Sequence, residues 1–317
     1  MNAAPAPVVV EKPRGRIRWI VCALLFAAVA LSYVDRLVLP TLKPDLQARY
    51  GWSEQGYADL AIAFQAAYGL AYVLFGRFVD RVGAKIGYAV AVTVWTIGHV
   101  AHILFTSAGM MIFARIPLAI GEAGAFPAAL AAANEWFPQR ERALAIGIFN
   151  AGSNVGAILT PLLVPVIAVA FGWRMAFVAT GLLTVVWLAA WLAFYRTPRR
   201  HPRVTPGELA WIEADPAPPA QPVAWRTLLR LRQTWAYMLG RFLIDPIWWT
   251  FLFWLPDFFN RQYQVKMLDF GPPLVAVYLL ADAGSIGGGW LSSRLLARGR
   301  TPNRARKTAM FVCALFA

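Results

Sequence analysis

Apolar runs of about 20 residues recur along this chain, each long enough to cross a hydrocarbon layer of about 30 Å as a helix. They fall at 17–39, 55–75, 85–105, 110–133, 142–170, 174–195, 234–259 and 272–297. Backbone amides in lipid must find their hydrogen bonds within the segment, so helices are the reading that fits. The runs predict an all-α membrane protein. A 1–16 N-terminal segment precedes a six-helix bundle over 17–195. A polar, proline-rich central loop follows over 196–233, and a second set of helices occupies 234–317. A ninth apolar run begins at Thr308 and stops at Ala317, about half a span, which predicts a chain cut short inside a helix.

The charge pattern orients these segments. Hydrophobic residues make up 59% of the chain and charged residues 15%, well under the roughly 25% of a soluble domain. A net charge of +14 would raise nucleic acid as a partner for a soluble protein. Here the basic residues lie between apolar runs and gather on one side, which is an orientation signal and argues against nucleic acid. Of the 30 Lys and Arg, 22 fall before the first run, after the second, fourth and eighth, and in the central loop. Five (Lys43, Arg49, Arg174, Arg261 and Lys266) lie on the opposite side, and Arg36, Arg115 and Arg241 are embedded. The basic side, with the N-terminus, is expected to be cytoplasmic.

No cleavable leader is expected, since the first run continues past Leu31 without a small-residue cleavage site. Cys22 and Cys313 lie within apolar runs and are expected to pack rather than pair, and no Cys/His spacing suggests a metal. Phosphate-loop, nucleophile-elbow and zinc-protease patterns are absent, so neither an enzyme nor a cofactor is expected.

Ionisable residues inside spans are costly and usually functional. The acidic ones are Asp35, Glu122, Asp245, Asp257 and Asp282. Asp257 lies near the outer end of its run, where water can reach it. Asp35 and Arg36 are neighbours and point about 100° apart, so each can face a different region. Arg115 and Glu122 are seven residues apart, two turns along one helical face. Arginine offers a planar fork for a carboxylate or phosphate, and a poorly solvated carboxyl beside it can gain or lose a proton. A buried ion pair is the blander alternative. Gln65, Tyr68 and Tyr72 form a polar stripe, as do Asn150, Ser153 and Asn154. These groups suit a polyol, or bond helix to helix. Trp248, Trp249 and Trp254 suit a sugar face or an interface belt, the belt fitting Trp254 best. Small-residue runs, Gly152-x-x-x-Gly156 and Gly284-x-x-Gly287-Gly288-Gly289, permit close helix approach.

At Gly76-Arg-Phe-Val-Asp80-Arg81-Val-Gly83-Ala-Lys85 the chain resembles the signature between the second and third helices of the major facilitator superfamily. A fainter copy, Gly289-Trp-Leu-Ser-Ser293-Arg294, follows the eighth run. Tyr33-Val-Asp35-Arg36, Arg115-x6-Glu122-Ala-Gly-Ala-Phe126-Pro127, Glu135-Trp-Phe-Pro138-x2-Glu141-Arg142 and Phe149-Asn150-Ala-Gly-Ser153-Asn154 resemble the anion:cation symporter branch. With Phe253-Trp254-Leu255-Pro256, the whole is most similar to hexuronate transporters.

The resemblance implies a twelve-helix major facilitator fold, here reaching about eight helices and part of a ninth. It implies a secondary transporter of the bacterial inner membrane that takes up a small sugar acid with protons. Asp35 and Glu122 would be the proton sites. Arg36 would hold the substrate carboxylate, with Arg115 coupled to Glu122 and Tyr33 and Tyr68 contacting substrate. Gly76, Asp80, Arg81, Gly83 and Lys85 would serve the cytoplasmic gate. A monomer in the bilayer is expected, without metal. The alternatives are a symporter of another organic anion, such as a hydroxy or aromatic acid, and a non-transporting membrane sensor, against which the paired carboxyls speak.

Overall fold

A computed structural model describes residues 15–214 and 225–315. Every regular element among them is helical: α1 Ile17–Tyr50, α2 Glu54–Ala101, α3 Ala108–Trp136, α4 Gln139–Phe171, α5 Trp173–Phe194, α6 Pro206–Glu213, α7 Trp225–Arg230, α8 Arg232–Tyr263, α9 Gly271–Ala297 and α10 Pro302–Ala314. The first five are long and apolar enough to cross a membrane. α8 and α9, with 32 and 27 residues, match them in length. Large side chains such as Leu70, Leu74, Phe113 and Phe171 stand about 70% exposed on the rim. That is the expected outer surface of a bundle whose solvent is hydrocarbon.

Two boundaries differ from those read in the sequence. The second and third runs are joined into α2, whose two arms meet at Gly83. There the backbone takes φ 78° and ψ 167°, outside the helical region and accessible to glycine without a Cβ penalty. The rest of the signature, including Gly76, Asp80 and Arg81, is helical. The first run does not stop at residue 39. α1 continues through Pro40 and Pro44 to Tyr50, ending on the left-handed Gly51. Proline removes a helical hydrogen bond, but a membrane helix tolerates it when a neighbour takes the freed carbonyl. Lys43, placed in a loop by the sequence, is thereby drawn into the protein and fully buried.

Glycine sets the helix spacing where it was expected to. A Cβ on Gly152 would stand 2.4 Å from the Phe26 carbonyl, and one on Gly156 2.3 Å from that of Ala30, so α4 rests directly on α1. The glycines of α9 do less: Gly284, Gly287 and Gly289 meet nothing within 4 Å, and Gly288 meets the Cys313 sulfur. Cys22 is buried and Cys313 exposed, and both are free thiols.

At the basic end the central loop forms structure that its polarity hides. Thr205 caps α6 by accepting from the Glu208 amide, and Pro206 sits at the first helical position. The fully buried Glu208 carboxylate then accepts from the amides of Ile17 and Arg18 at the start of α1, and from Arg18 Nη1 at 3.2 Å. Arg18 Nε also holds Glu141 at 2.9 Å. The Arg140 guanidinium lies 3.5 Å over the Trp211 ring. α6 thus fastens the loop to α1 and α4.

The opposite end is closed by another ion cluster. Lys43 Nζ on α1 contacts Asp257 of α8 at 2.7 Å and Glu54 of α2 at 2.9 Å. Arg261 holds Asp257 at 3.0 Å and also pairs with Glu54. Trp254, expected in an interface belt, lies in this seam instead, its ring 4.3 Å from the Lys43 ammonium and edge-on to Tyr57. Asp257, expected at a wet helix end, is 5% exposed. Both follow from α1 running on: the buried ammonium needs a counter-ion and a ring face.

Candidate functional site

Between these ends lies a cavity of about 1470 Å³, walled by α1, α2, α3 and α4 on one side and α8 on the other. Its α8 wall runs from Tyr237 and Arg241 up to Trp254. Asp257, one turn beyond Trp254, closes the Lys43 end, whereas Tyr237 and Phe242 are 70% and 74% exposed. The ion cluster around Lys43 therefore closes the cavity at that end.

Eight of the residues singled out in the sequence line this cavity: Tyr33, Arg36, Gln65, Tyr68, Glu122, Asn150, Ser153 and Asn154. Tyr72, Trp248 and Trp249 join them. The periodicity explains why: the stripes on α2 and α4 each repeat about once per turn, so one face of each helix turns inward.

Arg36 is the focus of the wall. Its Nε donates to Glu122 Oε2 at 2.7 Å, with both side chains buried. Aromatic rings surround the guanidinium: Tyr33 at 4.6 Å, Trp249 at 5.0 Å, Tyr68 at 5.1 Å and Phe64 at 5.5 Å. Ring faces attract a cation and keep water away from it. With Nε committed to Glu122, the terminal nitrogens are the part of the fork that an incoming carboxylate can take.

Arg115 stands behind this wall. It is 1% exposed, lies 4.6 Å over the Phe64 ring and donates from Nη2 to the Arg36 carbonyl at 3.2 Å. Its Nε and Nη1 are buried without hydrogen-bond partners, as is Glu122 Oε1. Glu122 is thus ion-paired with Arg36, and Arg115 reaches the same pair through the backbone.

Asp35 is not on the cavity wall. Fully buried, it faces away from Arg36 toward α2 and α5. Its Oδ2 accepts from Trp95 Nε1 at 3.2 Å and from Thr184 Oγ1 at 2.9 Å, and its Oδ1 lies 3.3 Å from His99 Nε2. The sequence did not single out His99, Trp95, Thr180 or Thr184, whose contacts with Asp35 join helices far apart in the chain. The remaining acids are placed as follows. Asp245 pairs with Arg241 at 3.0 Å along α8, and both line the cavity. The Asp282 side chain lies outside the described residues. Asp80 and Arg81 are exposed at the bend of α2, and the Lys85 carbonyl accepts from Trp191 Nε1 at 3.1 Å. Among the described residues no cluster of His, Cys, Asp and Glu has the arrangement of a metal site.

Membrane-crossing helices that enclose a cavity with a buried arginine–carboxylate pair on its wall make this a multi-pass membrane protein. The chain belongs to the Major Facilitator Superfamily, whose model matches residues 24–317. It is 36% identical over 280 residues to the hexuronate transporter of Escherichia coli (strain K12), covering 87% of this chain and 65% of that protein. It is 34% identical to the galacturonate transporter of Dickeya chrysanthemi, covering 87% and 81%. With the D-galactonate transporter of Escherichia coli O6:H1 it shares 30% over 323 residues, covering 98% and 74%. The chain thus spans about two thirds of the length of the hexuronate transporter. Its fold matches a bacterial homologue of the human lysosomal transporter Spinster with a TM-score of 0.73 at 20% identity, over 90% of this chain and 64% of that one.

Proposed function

We propose that this protein carries a sugar acid of the hexuronate or hexonate type across the bacterial inner membrane, in symport with protons. The observation that carries the reading is the Arg36–Glu122 pair on the cavity wall. An arginine boxed by four rings and partly committed to a carboxyl suits exchange of one carboxylate for another. When Glu122 gains a proton it releases its claim on the fork, and the substrate carboxylate replaces it. Binding of the anion and binding of the proton are thereby linked. Gln65, Asn150, Ser153 and Asn154 supply hydroxyl and amide groups for the sugar hydroxyls, and Trp249 a face for the ring. The named relatives, which carry hexuronate, galacturonate and D-galactonate, support the substrate class.

Asp35 serves as a second proton site, remote from the substrate. The N-terminus and the α6 clasp face the cytoplasm, by the excess of basic residues at that end. Asp80, Arg81 and Lys85, with the bend at Gly83, act where the two bundles separate on that side. The transporter works as a monomer.

The test is binding of labelled galacturonate to the purified full chain at pH 6 and pH 8, followed by uptake into vesicles with and without a pH gradient. Tighter binding at pH 6, displaced by glucuronate and not by galactose, is the expected result. Displacement by galactose, or affinity independent of pH, overturns the reading.

A further inference from the structure

Three buried polar atoms that no hydrogen bond satisfies lie in one region outside the cavity: Asp35 Oδ1, His99 Nδ1 and His102 Nε2. Asp35 and both histidines are fully buried. No lysine or arginine forms an ion pair with Asp35 among the described residues, which sets it apart from Glu122. Its close polar neighbours are Trp95, Thr180, Thr184 and His99. Only His99 among them can hold an exchangeable proton near neutral pH.

One arrangement of protons satisfies the short contacts. Thr180 Oγ1 donates back to the Ala176 carbonyl at 3.0 Å, so it accepts from His99 Nε2–H at 2.7 Å. That same Nε2–H faces Asp35 Oδ1 at 3.3 Å. His99 Nδ1 is then a bare acceptor. His102 Nδ1 donates to the Gly98 and His99 carbonyls at 2.9 and 3.1 Å, which leaves its Nε2 bare as well. The two rings lie 6.4 Å apart, with His102 on the side of the Lys43 end. Trp95, His99 and His102 follow the i, i+4, i+7 spacing of one helical face.

We propose that Asp35 and His99 share one proton, and that His99 delivers it to Asp35 from the side of His102 rather than from the substrate cavity. This rests on the reading of Asp35 as a proton site. A proton arriving at Nδ1 makes His99 an imidazolium. Its Nε2 proton then passes to Asp35 Oδ1. The products are a neutral carboxylic acid and a neutral imidazole protonated at Nδ1: one proton has entered, one has moved on, and the net charge has risen by one. His99 is a positioning and relay residue, since it touches neither substrate nor cavity. The charged groups that face the pair from α3 are Arg115, whose field reaches both rings, and Glu122. From α5 come only the uncharged Thr180 and Thr184. A fixed interhelical hydrogen bond would give His99 one tautomer at every pH; a relay gives it two.

The chain has three histidines, so nitrogen resonances of the 15N-histidine-labelled full chain in lipid nanodiscs can be assigned by loss in His99→Gln and His102→Gln. His99 is expected to change from the Nε2–H to the Nδ1–H form over the pH range in which Asp35 gains its proton. In Asp35→Asn the change is expected to vanish. The reciprocal readout is the infrared carbonyl band of protonated Asp35, identified by its absence in Asp35→Asn. It is expected to shift in frequency and in pH midpoint in His99→Gln. His99 resonances unaltered by Asp35→Asn, or an Asp35 band unaltered by His99→Gln, would overturn the pairing. Galacturonate binding measured on the same samples keeps the two readings apart. Loss of its pH dependence in the parent defeats the coupling reading, whereas an indifferent His99 with that dependence intact defeats only the relay.

Discussion

Arg115 donates to the backbone carbonyl of Arg36 across 3.2 Å, and that carbonyl is free to accept because residue 40 is proline. In an unbroken helix the amide of residue 40 would bond to the carbonyl of residue 36. Pro40 has no amide hydrogen, so the carbonyl beside the cavity arginine turns to a guanidinium on α3. The two arginines, which repel each other by charge, are thus joined through the backbone. The segment of α1 that presents Arg36 is anchored to the helix that presents Glu122.

Pro40→Ala tests this. The substitution supplies a helical donor for the Arg36 carbonyl and competes with Arg115. Hydrogen bonds to charged groups contribute about 1.5–3 kcal/mol, and partial loss of one predicts roughly three- to tenfold weaker galacturonate binding. Thermal stability should hold or rise, since proline inside a helix is unfavourable. Unchanged affinity would show that the anchor does not position Arg36.

Lys43 and Asp257 predict a different pattern. Removing one partner of a buried ion pair typically costs about 3–5 kcal/mol, because it strands the other charge. Lys43→Met should lower the melting temperature in detergent clearly, with the loss moderated by Arg261, which still reaches Asp257. The double variant Lys43→Met/Asp257→Leu should recover most of the loss. If the two losses add instead, the pair is not the unit that closes this end.

Gly156→Val should be among the most disruptive small substitutions. The new Cβ would lie 2.3 Å from the Ala30 carbonyl, a backbone atom that cannot yield without moving α1. Overpacking commonly costs about 1–3 kcal/mol and more where backbone must shift. Gly76→Val, with nothing within 4 Å of its Cβ position, is the control and should melt close to the parent. A similar drop in both would point to helix propensity rather than contact.

The helices and the cavity were legible because each rests on a local regularity. Apolar length gives the spans, and the stripes 65/68/72 and 150/153/154 give the inward faces. What was not legible depends on partners far apart in sequence. Lys43 reads as a loop cation until Asp257, 214 residues away, is brought beside it. His99 reads as core until α5 and α1 place Thr180 and Asp35 against its ring. Asp35 and Arg36 show both sides: their 100° divergence was readable, but which of them faces the cavity was not. One missed feature did have a local signal. Thr205-x-x-Glu208 has the spacing of a capping box, with Pro206 at the first helical position, and it opens α6 inside a loop whose composition suggested no helix.

The docked loop carries a pH dependence of its own. His201 is 6% exposed and packs against Trp136 and Phe194. Burial, reinforced by Arg196 and Arg203, holds its imidazole below the ordinary histidine range, against the opposing pull of the Phe194 backbone and Glu208. When the loop is undocked, the ring regains a value of about 6.5. The released loop therefore binds more protons than the docked one at acid pH, and docking weakens as pH falls below about 6.5. Above that value both states are neutral and His201 adds no dependence. Limited proteolysis across 196–214 should accelerate from pH 7.5 to pH 5.5 in the parent and much less in His201→Gln. Glu208→Gln should raise cleavage at both values, since it weakens the ion pair with Arg18 and the carboxylate cap on α1. An acid-induced increase of equal size in His201→Gln would assign the effect to another group.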